Sequence, residues 1–151
     1  MPPMTVRPKR NHATKPEPVD RSENMRRIRS KNTAPELIVR RLLYHLGYRY
    51  RIHRKELPGN PDIVFAGRHK AIFVHGCFWH AHGCKTAHQP LTNQDYWSPK
   101  LMRNVERDAR NQSALFSLGW ESLVIWECQT RTSASDLEKI LAAFLEAPSA
   151  R

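Results

Sequence analysis

Apolar runs of four to six residues predict the strands of a β-sheet. Asp62–Phe65 and Lys70–Val74 are rich in β-branched and aromatic residues and predict a hairpin that turns at 66–69. Ser122–Trp126 has the same character and predicts another core strand. Tyr48–His53 alternates polar and apolar positions with a period of two, which predicts a half-exposed strand.

Three helices are predicted around these strands. Thr33–Glu36 forms a capping box with proline in the first turn, so a helix should run from there to about Leu46 and stop at Gly47. A long polar helix is expected over roughly Lys100–Leu118, and a second capping box at Ser135–Glu138 should start the last helix. We expect their core-facing residues to be Leu37, the stem of Arg41, Leu42 and either Tyr44 or Leu46, then Leu101, Val105, Leu115 and Leu118, and finally Leu137, Ile140, Leu141 and Phe144.

The order of these elements predicts the architecture. A helix, three strands, a loop, a helix, a strand and a final helix favour an α/β fold with a central mixed sheet flanked by helices. A chain of 151 residues is expected to form one domain with a real core. Residues 1–20 are proline-rich without apolar periodicity and predict a disordered tail. We therefore place the folded domain at 21–146 and a C-terminal tail at 147–151.

The charge balance points to a polyanionic partner. The chain has 25 lysines and arginines against 14 acidic residues, a net charge of +11. This excess favours nucleic acid over an anionic membrane, since no basic amphipathic helix of the membrane-surface kind stands out. No apolar run approaches the ~20 residues that span a bilayer, and no signal-peptide core is found at the start. We therefore expect a cytoplasmic protein.

A basic segment precedes the first helix. Arg21–Lys31 carries Arg26, Arg27 and Lys31 and has the composition of a helix. It is either a solvated helix or an arm that becomes ordered on a phosphate backbone, where basic side chains release condensed counterions. The overall charge favours the arm.

Histidine and cysteine are concentrated after the second strand of the hairpin. His75–Cys84 holds three histidines and two of the chain's three cysteines, and Cys128 follows much later. Three thiolates and one imidazole would make a closed, structural zinc site, whereas ordinary buried thiols are the alternative. The spacing leaves open whether His80 or His82 is the fourth ligand. The remaining histidines, especially His75 and His80, could act as acid or base on a phosphodiester.

Asp62 is the candidate ligand for a second metal. It opens a strand after a loop with two prolines, where its carboxylate could hold Mg²⁺ at the sheet edge. An Asx-turn explains the same residue without a metal. The Pro-Asp pair followed by a strand that ends at histidines is similar to the pattern of restriction-type nucleases, although their acidic-x-Lys pair is missing here.

Several motifs together resemble the very-short-patch-repair DNA mismatch endonucleases over about residues 21–131. The resemblance implies a restriction-endonuclease-like α/β fold. It also implies nicking of one DNA strand 5′ to the thymine of a T·G mismatch, which arises when 5-methylcytosine deaminates. The motifs are Thr33–Glu36, Pro58–Asp62, His75–His80, Arg103–Asp108 and Trp126–Cys128.

The resemblance also assigns roles within the catalytic site. Asp62 would be the principal Mg²⁺ ligand, together with the backbone carbonyl of Val74, and His80 would be the general acid or base. Val74 stands where the family commonly has threonine, so a hydroxyl is missing at this position. The capping box alone explains Glu36, and a solvated helix face alone explains Asp108. The residues that would hold the waters of the ion are Glu36, His75 and Asp108.

Further roles implied by the resemblance concern zinc and DNA. The zinc ligands would be Cys77, His82, Cys84 and Cys128. Phe78, Trp79 and Trp97 would probe the mismatch as aromatic wedges, because a T·G wobble is easier to open than a matched pair. The expected partner is double-stranded DNA, bound by a nucleoid-associated monomer with a functional link to a cytosine-5 methyltransferase and to mismatch-repair proteins.

Two other functions remain open at this point. The chain could be a catalytically inactive zinc module that binds DNA, or a nuclease without mismatch specificity. Nicking that depends on Asp62 separates the first from an enzyme, and a comparison of T·G with matched T·A duplex separates the second.

Overall fold

The computed structural model describes residues 32–80, 82, 84 and 94–147, with the backbone alone for 94–97. The predicted N-terminal tail, the arm with Arg26, Arg27 and Lys31, and residues 148–151 lie outside this part. Its elements are α1 (Ala34–His45), β1 (Arg51–Ile52), β2 (Ile63–Phe65), β3 (Lys70–His75), α2 (Gln94–Ser117), β4 (Glu121–Trp126), α3 (Glu127–Thr130) and α4 (Ala134–Glu146).

The four strands form one mixed sheet in the order β1-β2-β3-β4. β1 with β2 and β2 with β3 are antiparallel, and β2 and β3 form the predicted hairpin. β3 and β4 are parallel, with α2 in the connection between them, and their pairing ends with His75 opposite Trp126. Because parallel strands end at the same sheet edge, the residues that follow β3 and β4 are brought together. The prediction of a mixed sheet flanked by helices is confirmed.

Helix α1 begins and ends where the sequence predicts. Thr33 is the N-cap and its Oγ1 accepts the N–H of Glu36 at 3.4 Å, while Gly47 follows the helix with a φ of 88°. The predicted buried face is correct only in part: Leu42 packs against the core, whereas Arg41 is exposed and Tyr44 is 64% exposed. The apolar residues of α1 cover a wide arc, and packing on the sheet selects the stripe of Glu36, Val39 and Leu43 instead.

Three other boundaries differ from the prediction. The strand expected over Tyr48–His53 is confined to Arg51–Ile52, and Tyr50 instead donates a hydrogen bond to the carbonyl of Arg40 at 3.1 Å. Helix α2 begins at Gln94 rather than at the predicted Lys100, and Pro99 lies inside it. Helix α4 begins at Ala134, and its N-cap is Ser133, two residues before the predicted N-cap Ser135.

The core lies between the sheet and the pair α1 and α4, with buried Ile63, Ile72 and Ile125 on the sheet side. In α2, Leu101 and Leu115 are buried as expected, whereas Val105 is 39% and Leu118 60% exposed. Of the residues expected to face the core from α4, Leu137 and Leu141 are buried and Ile140 and Phe144 are half-buried.

A buried lysine joins the sheet to the last helix. Lys70 is 1% exposed, and its Nζ donates to the carbonyls of Phe144 at 2.5 Å and Ala147 at 2.6 Å. The ammonium group thereby satisfies carbonyls at the C-terminus of α4 that have no partner within the helix. Within the described residues, no helix is long and apolar enough to cross a membrane.

Candidate active site and cysteine cluster

A cavity of about 440 Å³ opens where β2 begins and β3 ends. Four of the five predicted catalytic residues line it, from three different parts of the chain. Its lining residues are Asp62, Val74, His75, His80 and Asp108, together with His53, Lys55, Gly59, Asn60, Phe73 and Arg107.

Asp62 is held in place by the neighbouring strand. Its Oδ2 accepts the backbone N–H of Val74 at 2.7 Å. The pKa of Asp62 is raised to about 6, mainly by burial; the hydrogen bond from the Val74 N–H lowers it, and the nearby Glu36 carboxylate raises it. A buried carboxylate beside another acid is stabilised in its charged form by a cation, so the position suits a divalent metal.

His75, His80 and Asp108 form one compact cluster. The two imidazoles stack with ring centroids 3.7 Å apart and an interplanar angle of 5°. Asp108 Oδ2 makes a hydrogen bond with His80 Nδ1 and lies 4.0 Å from His75 Nδ1. Burial and the neighbouring His80 lower the pKa of His75 to about 4, so this ring is neutral at neutral pH. The cluster can fix the tautomer of His80 and leave its other nitrogen for proton transfer.

Glu36 is part of a second group, with a residue that sequence reasoning missed. Glu36 is 1% exposed, and its Oε1 lies 2.7 Å from Nε2 of His53 and 3.3 Å from Nη2 of Arg40. One ligand atom each from Glu36, His53 and Asp62 lie within 4.8 Å of one another. No local pattern distinguishes His53; the antiparallel pairing next to it, where its N–H donates to the Asp62 carbonyl at 3.3 Å, brings it to the site.

The cysteines converge as expected. Ligand atoms of Cys77, His82, Cys84 and Cys128 all lie within 4.8 Å of one another. The N–H of Cys128 donates to Cys77 Sγ at 3.3 Å, and Cys128 Sγ lies 3.7 Å from His82 Nδ1. His82 therefore lies with the three cysteines, whereas His80 lies with Asp108.

The chemistry of this cluster fits a soft metal ion. The three cysteines are free thiols, and burial raises the pKa of Cys77 to about 12. A thiolate at such a position needs a cation to stabilise it, and a Cys₃His set is a donor set that zinc prefers.

Trp126 lies between the two groups of histidines. Its indole stacks on His82 with centroids 4.1 Å apart and an interplanar angle of 9°. It meets His75 edge-on at 5.4 Å. The cysteine cluster and the cluster of His75, His80 and Asp108 thus both pack against the side chain of Trp126.

The predicted aromatic probe lies in the segment between these clusters. Phe78 and Trp79 are half-buried and meet edge to face, with centroids 5.2 Å apart. The carbonyl of Trp79 accepts Nδ2 of Asn104 at 2.8 Å, and Lys100 Nζ lies 5.2 Å from the Trp79 ring centroid. Trp97 belongs to α2, but its side chain is outside the described part.

Comparisons with known proteins agree on one family. A family model described as DNA mismatch endonuclease Vsr matches residues 13–86. The type II nicking enzyme V.XorIIP of Xanthomonas oryzae is 54% identical over 105 residues, which are 70% of this chain and 77% of that protein. The DNA mismatch endonuclease Vsr of Escherichia coli is 41% identical over 126 residues, 83% of this chain and 81% of that protein. The type II nicking enzyme V.NaeI of Lentzea aerocolonigenes is 46% identical over 130 residues, which cover 78% of this chain and 76% of that protein.

Proposed function

The chain belongs to the Vsr family of DNA mismatch endonucleases and is an endonuclease, and on this premise we propose that it nicks one strand of duplex DNA 5′ to the thymine of a T·G mismatch. The observation that carries the proposal is the convergence of Asp62, His75, His80 and Asp108 on one cavity beside the cysteine cluster. A metal-ligand candidate and a proton-transfer group in one cavity are the components that phosphodiester hydrolysis needs.

Asp62 and the backbone carbonyl of Val74 would hold Mg²⁺. The ion would supply electrostatic stabilisation of the charge that develops on the scissile phosphate. Carboxylate and carbonyl oxygens are the ligands that Mg²⁺ prefers, and both residues line the cavity. The N–H of Val74 donates a hydrogen bond to the Asp62 carboxylate and thereby keeps it in one orientation.

His80 would move the proton of the attacking water. Asp108 fixes the ring through its hydrogen bond to Nδ1, which leaves Nε2 to exchange the proton. His75, neutral and stacked on His80, prevents that ring from turning and, with Glu36 and Asp108, would bind waters around the ion. Arg107 and Lys55 line the same cavity and bring positive charge to the approaching phosphate.

The cysteine cluster would hold a structural zinc ion. Cys77, His82 and Cys84 belong to the segment after β3, and Cys128 belongs to α3 after β4. A closed four-ligand site would fasten the segment that carries His80, Phe78 and Trp79 to the end of the sheet.

Mismatch recognition would use aromatic wedges. Phe78 and Trp79, joined by Trp97, would enter the opened base step, and the N-terminal arm with Arg26, Arg27 and Lys31 would hold the phosphate backbone. T·G pairs formed by deamination of 5-methylcytosine are the proposed substrates. The protein would act as a monomer at the nucleoid in the cytoplasm, linked in function to a cytosine-5 methyltransferase and mismatch repair.

The test uses a T·G duplex, a matched T·A duplex and Mg²⁺. We expect wild type to nick only the T·G strand and Asp62→Asn to bind the duplex without nicking it. Asp136→Asn, an exposed position with the same loss of charge, should nick like wild type. Binding without nicking by wild type would favour an inactive DNA-binding module, and equal nicking of both duplexes would favour a nuclease without mismatch specificity.

A further inference from the structure

His53 occupies a position in the site that the proposed reaction does not use. Its side chain is 19% exposed and lines the cavity, and it connects the cavity to the buried carboxylate of Glu36. Asp62 belongs to the same group, since one ligand atom each of Glu36, His53 and Asp62 lies within 4.8 Å of the others.

His53 has an unfavourable backbone conformation. Its φ is 51°, a left-handed value that side-chain-bearing residues adopt rarely. The N–H of His53 donates to the carbonyl of Asp62 at 3.3 Å, so the two residues are fixed to each other directly after β1. Residues held in unfavourable backbone regions are concentrated at functional sites, where the surrounding structure enforces the conformation.

The charges around His53 favour a cation. Glu36 and Asp62 bring two carboxylates close together, and Arg40, 3.3 Å from Glu36, can compensate only one of these two negative charges. A divalent ion bound among the three ligands would offset the repulsion between the two acids.

The imidazole makes this donor set different from a pure oxygen site. Mg²⁺ is a hard ion that takes oxygen ligands and keeps several waters. Nitrogen ligands raise the affinity for first-row transition metals relative to Mg²⁺, in the order that begins with Mn²⁺. A site with one imidazole and two carboxylates should therefore discriminate between these ions.

We propose that His53 is a direct ligand of the divalent ion at Asp62, with Glu36 beside it holding a water of the ion, and that His53 makes the site prefer Mn²⁺ to Mg²⁺. The inference rests on the proposed function, which puts a divalent ion at Asp62. On binding the ion, Nε2 of His53 would give up its hydrogen bond to Glu36 and offer its lone pair to the metal, while the neutral ring carries its proton on Nδ1.

The decisive variant is His53→Gln, because glutamine can still donate a hydrogen bond to Glu36 but offers no imidazole. His45→Gln, at an exposed position of α1, is the matched control. Mn²⁺ is titrated into the full, zinc-loaded chain without DNA, free Mn²⁺ is measured by electron paramagnetic resonance, and Mg²⁺ is added as competitor. Pulsed measurements on the bound ion then detect nitrogen coupling from a coordinated imidazole.

We expect His53→Gln to weaken Mn²⁺ binding about ten-fold or more, to change Mg²⁺ binding little, and to remove the nitrogen coupling. Unchanged Mn²⁺ affinity in His53→Gln, or a bound wild-type ion without nitrogen coupling, would overturn the proposal. The second result does not depend on the variant being folded.

Nicking of the T·G duplex in Mg²⁺ is measured on the same preparations and tests the proposed function separately. Mn²⁺ binding that survives in Asp62→Asn would place the ion elsewhere, such as at His75, His80 and Asp108, and would also overturn the role of His53.

Discussion

The indole of Trp126 stacks face to face on the imidazole of His82, with ring centroids 4.1 Å apart. The same indole also packs in a T-shaped arrangement with His75, with ring centroids 5.4 Å apart. A change in the position of His82 is therefore transmitted through a single rigid ring to the residues that would perform the reaction. Loss of a metal from the cysteine cluster should affect catalysis as well as stability.

We predict that His82→Gln loses zinc and, with it, stability and nicking. Structural zinc contributes directly to the free energy of folding, and the shared Trp126 connects the two sites. The zinc content per chain, the midpoint of thermal unfolding and the nicking rate are measured together. His45→Gln should keep all three, and a fully zinc-loaded, stable His82→Gln protein would contradict the assignment.

Asp108→Asn should lower kcat about 100-fold and leave KM nearly unchanged. The carboxylate is a positioning residue for His80, and the loss of correct acid or base function typically costs factors of this size. Single-turnover nicking at saturating enzyme gives the chemical rate, and binding is measured separately. Glu106→Gln removes the same charge from an exposed position of α2 and is the control. Equal effects of the two substitutions would show that only the net charge of the helix matters.

Trp79→Ala should reduce discrimination between T·G and T·A duplexes about ten-fold or more. An aromatic side chain that stacks on a base contributes about 1–3 kcal/mol, and this gain is largest where the base pair opens easily. The ratio of nicking rates on the two duplexes is the measurement. Trp120→Ala, which removes an indole that packs on His69 at the other end of the sheet, should leave the ratio unchanged.

Val74→Thr should nick at nearly the wild-type rate. The Val74 N–H already fixes Asp62, and only the backbone carbonyl is assigned to the ion, so a hydroxyl adds nothing essential. Val124→Thr in the adjacent strand β4 controls for a polar group at a half-buried strand position. A ten-fold gain in rate, specific to Val74→Thr, would show that a hydroxyl at this position has a direct role.

Gly59→Ala should destabilise the fold by at least about 2 kcal/mol. Gly59 has a φ of 80°, and an added Cβ would lie 2.9 Å from Asn111 Cβ and 3.1 Å from Phe73 Cε1. Denaturant unfolding gives the difference in free energy. At Gly67 an added Cβ meets nothing within 4 Å, so Gly67→Ala should change stability little. Equal stability of both variants would show that the loop around Gly59 can move aside.

Local sequence patterns predict the elements here better than their faces. The cap at Thr33 and the stop at Gly47 are set by groups within a few residues, and both are confirmed. The buried side of α1 depends on what packs against it, so Val39 and Leu43 were not predicted as core. The early start of α2 could not be predicted because an interior proline usually breaks a helix, whereas Pro99 lies inside this one.

The site shows the same division. Cys77, Cys84 and Cys128 could be proposed because few residue types bind soft metals, and the resemblance added His82; the structure brings the four together. His53 could not be proposed, because its chemistry arises from strand pairing that places it beside Asp62 and from a helix that turns Glu36 toward it. Neither contact can be predicted from the residues around position 53.

The pairing of His75 with Trp126 at the end of the parallel strands has a consequence for biosynthesis. During synthesis the chain beyond Cys128 must leave the ribosome before the cysteine cluster at the end of these strands can close. Such distant parallel contacts form late in folding. A chain that ends before Cys128 would therefore lack the ligand that joins the cysteine cluster to the end of β4, and the segment with His80 would not be fastened there.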